Sequence, residues 1–502
     1  MCKNITRCFI KEKMKKGLLL LISSLLIVPA NVFAQFRTDL PEASVEEQET
    51  EPALVLTLEK AIEIALSENA AVKVADMEIQ RSSYALKGSY ASLFPSIDAS
   101  ASYSRTIKKQ VMYMDFDMSA LGGMGGGQGT GDAEIPGEDD ASSVGPGSTG
   151  GGGIEVGRWN TYSAGVQATM PLVNAQLWKS IKISAQDVEL AVEKARSSKL
   201  ETVTQVKQAF YGVLLAKEAF NVYKSVYENA LDNFKQTEMR YNVQKASELE
   251  YQRAKATVQN AIPNVYDSEN SVILGLWQLK AVMGIDLDTE IDIAGSLNDY
   301  SEHMFRDMYE GSEMTLEGNS TLRQLAIQAE ELANAVKLQQ YASLPSLGLS
   351  FSYSMNAMTN DFKFSEYQWS PYSAVGLSLQ IPIFAGGKRS NAVRQAQTQY
   401  NQMKVQQENT ERQLKIAIRQ YLSQMETSMK NYYAAEAGVE TALKAFDIAQ
   451  KTYNLGKSTI TELNDARLAL TQAQLGQSQA IYNFVTAKAN LEQTLGCDLT
   501  LQ

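Results

Sequence analysis

Tyr341-Ala-Ser-Leu-Pro-Ser-Leu-Gly-Leu-Ser-Phe-Ser-Tyr-Ser-Met355 carries two signals at once. From Leu347 to Met355 the odd positions are apolar and the even ones are Gly or Ser. A period of two puts these sets on opposite faces of a strand, one apolar and one small and polar. The opening six residues also restate an upstream stretch, Tyr90-Ala-Ser-Leu-Phe-Pro-Ser96.

Other matches follow in the same order. Tyr162-Ser-Ala-Gly165 returns as Tyr372-Ser-Ala-Val-Gly376, and Met170-Pro-Leu172 as Ile381-Pro-Ile383. Tyr241-Asn-Val-Gln-Lys245 returns as Tyr453-Asn-Leu-Gly-Lys457, and Leu279–Asp286 as Leu491–Asp498. Five matches in one order predict a tandem duplication. The first repeat is placed at 57–286 and the second at 317–498, with a linker at 287–316. Each repeat reads helix, strand, loop, strand, two long helices. Strands are expected at about 96–105, 161–171, 346–356 and 371–383.

Long helices are expected over 176–238, 246–284, 388–454 and 459–496, where Pro263 is the only proline. Apolar residues recur at three and four, as in Phe220, Tyr223, Tyr227, Leu231 and Phe234, or Leu414, Ile418, Tyr421, Met425, Met429 and Tyr432. That is a coiled-coil-like seam. A helix of ~60 residues is a rod of about 90 Å.

Composition narrows the function classes. The 46 basic and 57 acidic residues give a net charge of −11, which argues against a nucleic-acid partner. One His, His303, and three Cys make zinc sites, His catalysis and a disulfide framework poor expectations. No G-x-S-x-G, HExxH or P-loop occurs, and no enzyme, cofactor or metal site is expected.

Lys11, Lys13, Lys15 and Lys16 precede the apolar run Leu18–Pro29 and then Val32-Phe-Ala34, so residues 1–34 read as a secretory signal peptide. Met14 is an alternative start, and Cys2 and Cys8 would leave with the signal, so that Cys497 alone remains. Residues 35–56 read as an acidic tether and 109–158 as a Gly-rich extracellular loop joining the first two strands. After the signal no stretch reaches the ~20 apolar residues of a spanning helix. A membrane location would therefore require a β-barrel. Four strands cannot close one, since ~8 is the practical minimum. Either the strands form a soluble sheet, or several chains share a barrel, three of them giving twelve strands. Tyr103, Tyr162, Tyr353, Tyr367, Trp369 and Tyr372 lie near the strand ends, where an aromatic belt would sit.

With the duplication, the Tyr-Ala-Ser-Leu-Phe-Pro-Ser approach, the Pro turns after the strands and the paired Tyr motifs, the chain resembles the TolC-like outer-membrane efflux channel family from about Thr57 to Asp498. The resemblance implies a homotrimeric α+β membrane protein: a twelve-stranded β-barrel in the outer membrane, four strands per chain, continued by a long periplasmic α-helical coiled-coil barrel. It implies a passive exit duct of a tripartite efflux or type I secretion system. The partners would be a periplasmic adaptor (membrane fusion) protein and an inner-membrane pump of the RND or ABC type.

The resemblance also implies site residues at the periplasmic tip. Glu462 and Asp465 match the ring carboxylates there, Tyr453 the gating Tyr, with Tyr241 its first-repeat counterpart, and Glu250 the gating Asp. The gating Arg position is Ser458 here, with Lys457 beside it as a cation able to reach Glu250 as a point charge. Gln244 stands where the second repeat has Gly456. Threefold symmetry would bring the carboxylates around one axis, where they favour cations. The competing reading is a periplasmic or surface coiled-coil protein with structural or adhesive work and no channel.

Overall fold

A computed structural model describes residues 54–112, 154–304 and 315–497. The signal peptide, the tether up to Ala53, Cys2 and Cys8, and the Gly-rich loop between 113 and 153 lie outside the described residues. Three strands and two helices open the fold: β1 (Leu54–Leu56), α1 (Leu58–Glu68), α2 (Ala70–Ala91), β2 (Ser96–Arg105) and the short β3 (Gln110–Met112). Then come β4 (Ile154–Val156), β5 (Asn160–Val173), α3 (Ala175–Asn242), α4 (Glu248–Met283) and β6 (Ile291–Ile293). The remainder is α5 (Ser320–Tyr341), β7 (Ser346–Thr359), β8 (Ser370–Gln380), α6 (Lys388–Asn454) and α7 (Ile460–Leu495). The order helix, strand, strand, long helix, shorter helix occurs twice.

The long helices α3 and α6 have 68 and 67 residues, about 100 Å each. Each is too long for one partner. One half of α3 pairs with α4 and the other with α2 and α5, while α6 pairs with α7 and α5. Two junctions make this end-to-end stacking work. At the first, Asn69 caps α2 by accepting from Ala71 N (2.7 Å), and its amide donates to Val282 O at the end of α4 (2.7 Å). At the second, Asn319 caps α5 by accepting from Leu322 N (2.9 Å) and donates to Thr494 O at the end of α7 (2.5 Å). One Asn side chain offers at once an acceptor to one helix start and a donor to the other helix end. The matching glycines close α4 and α7 with φ of 77° at Gly284 and 72° at Gly496. A Cβ on Gly284 would meet Glu68 O at 2.7 Å, and one on Gly496 would collide with Gly318 O. Glycine is required there twice over, by conformation and by close approach.

The main core lies at these junctions. Phe210, Leu214, Leu279, Met283, Ile481 and Phe484 are buried in it. Each fully buried apolar side chain contributes about 1.5–3 kcal/mol. Leu54–Leu56, expected to end the tether, instead pairs in parallel with Ile291–Ile293 of the expected linker. The reason is burial: Leu56, Ile291 and Ile293 alternate inward onto the core. Lys217 fixes this small sheet to α3 through Asp292 (2.5 Å), whose carboxyl it holds below its ordinary pKa.

The four long strands form one antiparallel sheet in the order β2-β5-β7-β8. Its register lays the alternation out in rows. Ile97, Ala168, Phe351 and Val375 make an apolar row, and Asp98, Gln167, Ser352 and Ala374 a polar one. Ser102 and Ser163 hydroxyls bond across the polar face at 2.7 Å. Gly165 is needed on it, since a Cβ would meet Tyr353 O at 2.8 Å. The opposite apolar face is bare: Ile97 is 71% exposed, Val375 72% and Leu377 66%. β2 and β8 are the outer strands, each paired on one side only.

The expected belt divides. Tyr103 and Tyr162 stack at 4.8 Å on the apolar face, and Tyr367 leans on Tyr162 at 5.3 Å. Tyr372 instead pairs with Ser354 and so lies on the polar face, because its register position has the even parity of that strand. No described helix is long and apolar enough to cross a membrane.

Candidate functional site

The two long hairpins, α3/α4 and α6/α7, end in turns built alike. After α3 the chain passes Gln244 at φ 58° and after α6 Gly456 at φ 73°. Lys245 N donates to Arg240 O (2.7 Å) and Lys457 N to Thr452 O (2.9 Å), the six-to-one bond of a Schellman turn. Each return helix then opens on a capping box. Ser247 accepts from Glu250 N while Glu250 Oε2 accepts from Ser247 N (2.9 Å). Thr459 and Glu462 exchange the same pair of bonds at 3.3 Å each. Glu250 and Glu462 thus sit at one structural position, each satisfying an orphan helix N–H and the positive end of the helix dipole.

Glu462 and Asp465 are exposed and one turn apart on α7, so they share a face. Asp465 makes no hydrogen bond or ion pair among the described residues. Lys457 is exposed, and no ion pair joins it to Glu250 within the chain. Ser458 lies 3.2 Å from Thr452 Oγ1.

The two tyrosines differ. Tyr241 stacks on Tyr251 of its own hairpin at 5.0 Å. Tyr453 is buried, and its hydroxyl lies 3.0 Å from Thr237 Oγ1 on α3. It therefore joins one hairpin to the other. Arg240 strengthens that junction by donating to Asn454 O (3.0 Å), with its guanidinium 5.7 Å from the Tyr453 ring. One turn up, Gln450 donates to Asn233 Oδ1 (3.0 Å), and on the far side Asn464 donates to Thr257 Oγ1 (3.3 Å). Sequence reasoning missed Thr237, Arg240, Asn233 and Gln450. A basic residue in the last turn of α3 was the one available signal. Partners more than 200 positions away in the chain leave no local pattern. Among the described residues no group of three or more His, Cys, Asp or Glu is placed to hold a metal.

A sequence model described as outer membrane efflux protein matches residues 61–285 and 312–497, more than half of the chain. The chain belongs to the outer membrane efflux protein family. The two matched segments are the two helix–strand–strand–helix–helix sections described above. Among relatives, "Outer membrane protein TolC" of Vibrio cholerae is 22% identical over 342 residues, covering 66% of this chain and 76% of that protein. "Alkaline protease secretion protein AprF" of Pseudomonas aeruginosa is 22% identical over 341 residues, covering 66% and 69%. Among solved structures, the CmeC outer membrane channel of Campylobacter jejuni superposes with a TM-score of 0.64 at 18% identity, covering 94% of this chain and 93% of that one. Family membership makes this an outer-membrane protein of the efflux class. At that TM-score the chain shares its overall fold with the CmeC channel.

Proposed function

We propose that three copies of this chain form one passive exit duct through the outer membrane. The observation that carries this reading is the sheet. Its apolar face is bare, its other face is mostly Ser, Gly and Thr with Asp98 and Gln167 among them, and among the described residues neither outer strand has a second partner. In water the bare face would aggregate, and in lipid an open edge is untenable. Closing the sheet with further copies removes both problems. Two copies give eight strands, a barrel whose interior side chains fill. Three give twelve and leave a lumen lined by the small polar face. The twofold occurrence of the helix, strand, strand, long helix, shorter helix order, down to the Asn–Gly junctions, supports descent by tandem duplication.

Below the barrel, α3, α4, α6 and α7 of each copy would continue the wall as a helical tube with the hairpin turns at its periplasmic mouth. The polar links around Tyr453 hold the two hairpins of each chain together there. Three copies of Glu462 and Asp465 would ring the mouth and favour cations. The energy for export would come from an inner-membrane pump, reached through a periplasmic adaptor. The TolC and AprF resemblances support a place in efflux or in protease secretion.

Glu462→Gln separates the two duties of that residue. Gln retains the capping box, whereas the ring loses three charges. In planar bilayers the Glu462→Gln/Asp465→Asn protein should show weaker cation selectivity and weaker block by multivalent cations, with a melting temperature lowered only slightly by the charge lost at the helix start. Unaltered selectivity and block would remove the ring.

A further inference from the structure

Arg467, on α7, is only 6% exposed. Its guanidinium rests on the Phe446 ring of α6, 5.6 Å from the centroid. Nε, Nη1 and Nη2 are all buried, and among the described residues none has a hydrogen-bond partner. One turn from Phe446 along α6, the Oε1 atom of Gln450 is likewise buried without a partner. Burial alone pulls the Arg467 pKa below its ordinary value, yet a guanidinium stays charged. A desolvated ion with no counter-ion and no acceptor opposes the packing that buries it, and a single cation–π contact offsets only part of that cost. The equivalent residue of the first hairpin, Lys255, is exposed. The penalty is therefore confined to the α6/α7 hairpin, the one that Tyr453, Gln450 and Asn454 tie to α3.

We propose that Arg467 loosens the α6/α7 hairpin at the tip from within, against the polar links that tie it to α3. The links of Tyr453 to Thr237, Gln450 to Asn233 and Arg240 to Asn454 hold α6 against α3. Packed on α6 from α7, the Arg467 charge opposes the packing of its own hairpin, and it gains water when that packing loosens. The α6/α7 tip is then held to α3 by polar links and loosened from within by one charge, rather than locked. That loosening widens a channel mouth only if the duct reading above holds. The energetic part stands without it.

The test compares Arg467→Met, Arg467→Leu and Arg467→Lys in the full-length, detergent-extracted protein, read by amide hydrogen exchange over 440–454. Met keeps the length and the ring contact but not the charge. Exchange should slow about tenfold or more in the apolar variants, the scale on which replacing a buried ion by a hydrophobe stabilises. Arg467→Lys should bring no slowing. Four results would overturn the inference: unchanged exchange in Arg467→Met, faster exchange there, equal slowing in Arg467→Lys, or assembly of the Lys protein while both apolar variants fail. In bilayers the Met protein should open less often. If the parent protein conducts nothing, the duct reading falls while the exchange result still decides the role of Arg467.

Discussion

Gln244 occupies a left-handed backbone position, φ 58°, that its counterpart Gly456 holds at φ 73°. A Cβ in that region costs roughly 1–2 kcal/mol, against a smaller entropic cost of glycine in the unfolded chain. Gln244→Gly should therefore stabilise the α3/α4 turn by about 1 kcal/mol, seen as a higher melting temperature. A lower one would show that the Gln side chain has a role at the tip. The Tyr-Asn-x-x-Lys match made this equivalence legible in the sequence. The same match pointed to Glu250 and Glu462, and the local pattern Ser-x-x-Glu or Thr-x-x-Glu already contains their capping role. The partner of Tyr453 was not legible. Thr237 is an ordinary helix residue until α6 is laid beside it.

Among elements, the strands were the most legible, because period two requires no knowledge of what packs against them. Their register then decided details that alternation alone could not, such as Tyr372 falling on the polar face. The helices were legible as long Pro-poor seams, but their junctions were not. Asn69 and Gly284 meet across 215 positions, and only the fold shows that one caps the end of the other. Strand β1 was missed for a similar reason, as three residues carry no period. The contact between α3 and α7 contains a buried ion pair, Lys207 to Glu492 at 2.7 Å, with Lys488 a further 3.9 Å from the same carboxylate. Breaking one side leaves a charge in the core, whereas removing both need not. Lys207→Met should destabilise the protein by about 3 kcal/mol in urea unfolding, and Lys207→Met/Glu492→Leu by much less. Equal losses would mean that the pair is no more than the sum of its packing.

At the scale of the whole molecule, the sheet and the helices pose the same problem. Each presents faces that one chain cannot cover. On the sheet, Ile97, Val375, Leu377 and Leu379 are all more than half exposed, and on α4 Trp277 and Leu274 are about half exposed. In the proposed assembly the sheet's answer is lipid on one side and further copies at its edges. The sequence left two readings, a soluble sheet or a barrel shared by several chains, since four strands cannot close one. The outer-membrane family gives the compartment; the number three is the one the family resemblance implies and the proposal adopts, and barrel geometry requires only more than one chain. The most direct test is native mass spectrometry of the protein extracted in detergent from the outer-membrane fraction. A species of three chains, dissociating only on unfolding, is the result predicted. A one-chain species in that fraction, or a soluble monomer, would contradict the shared barrel.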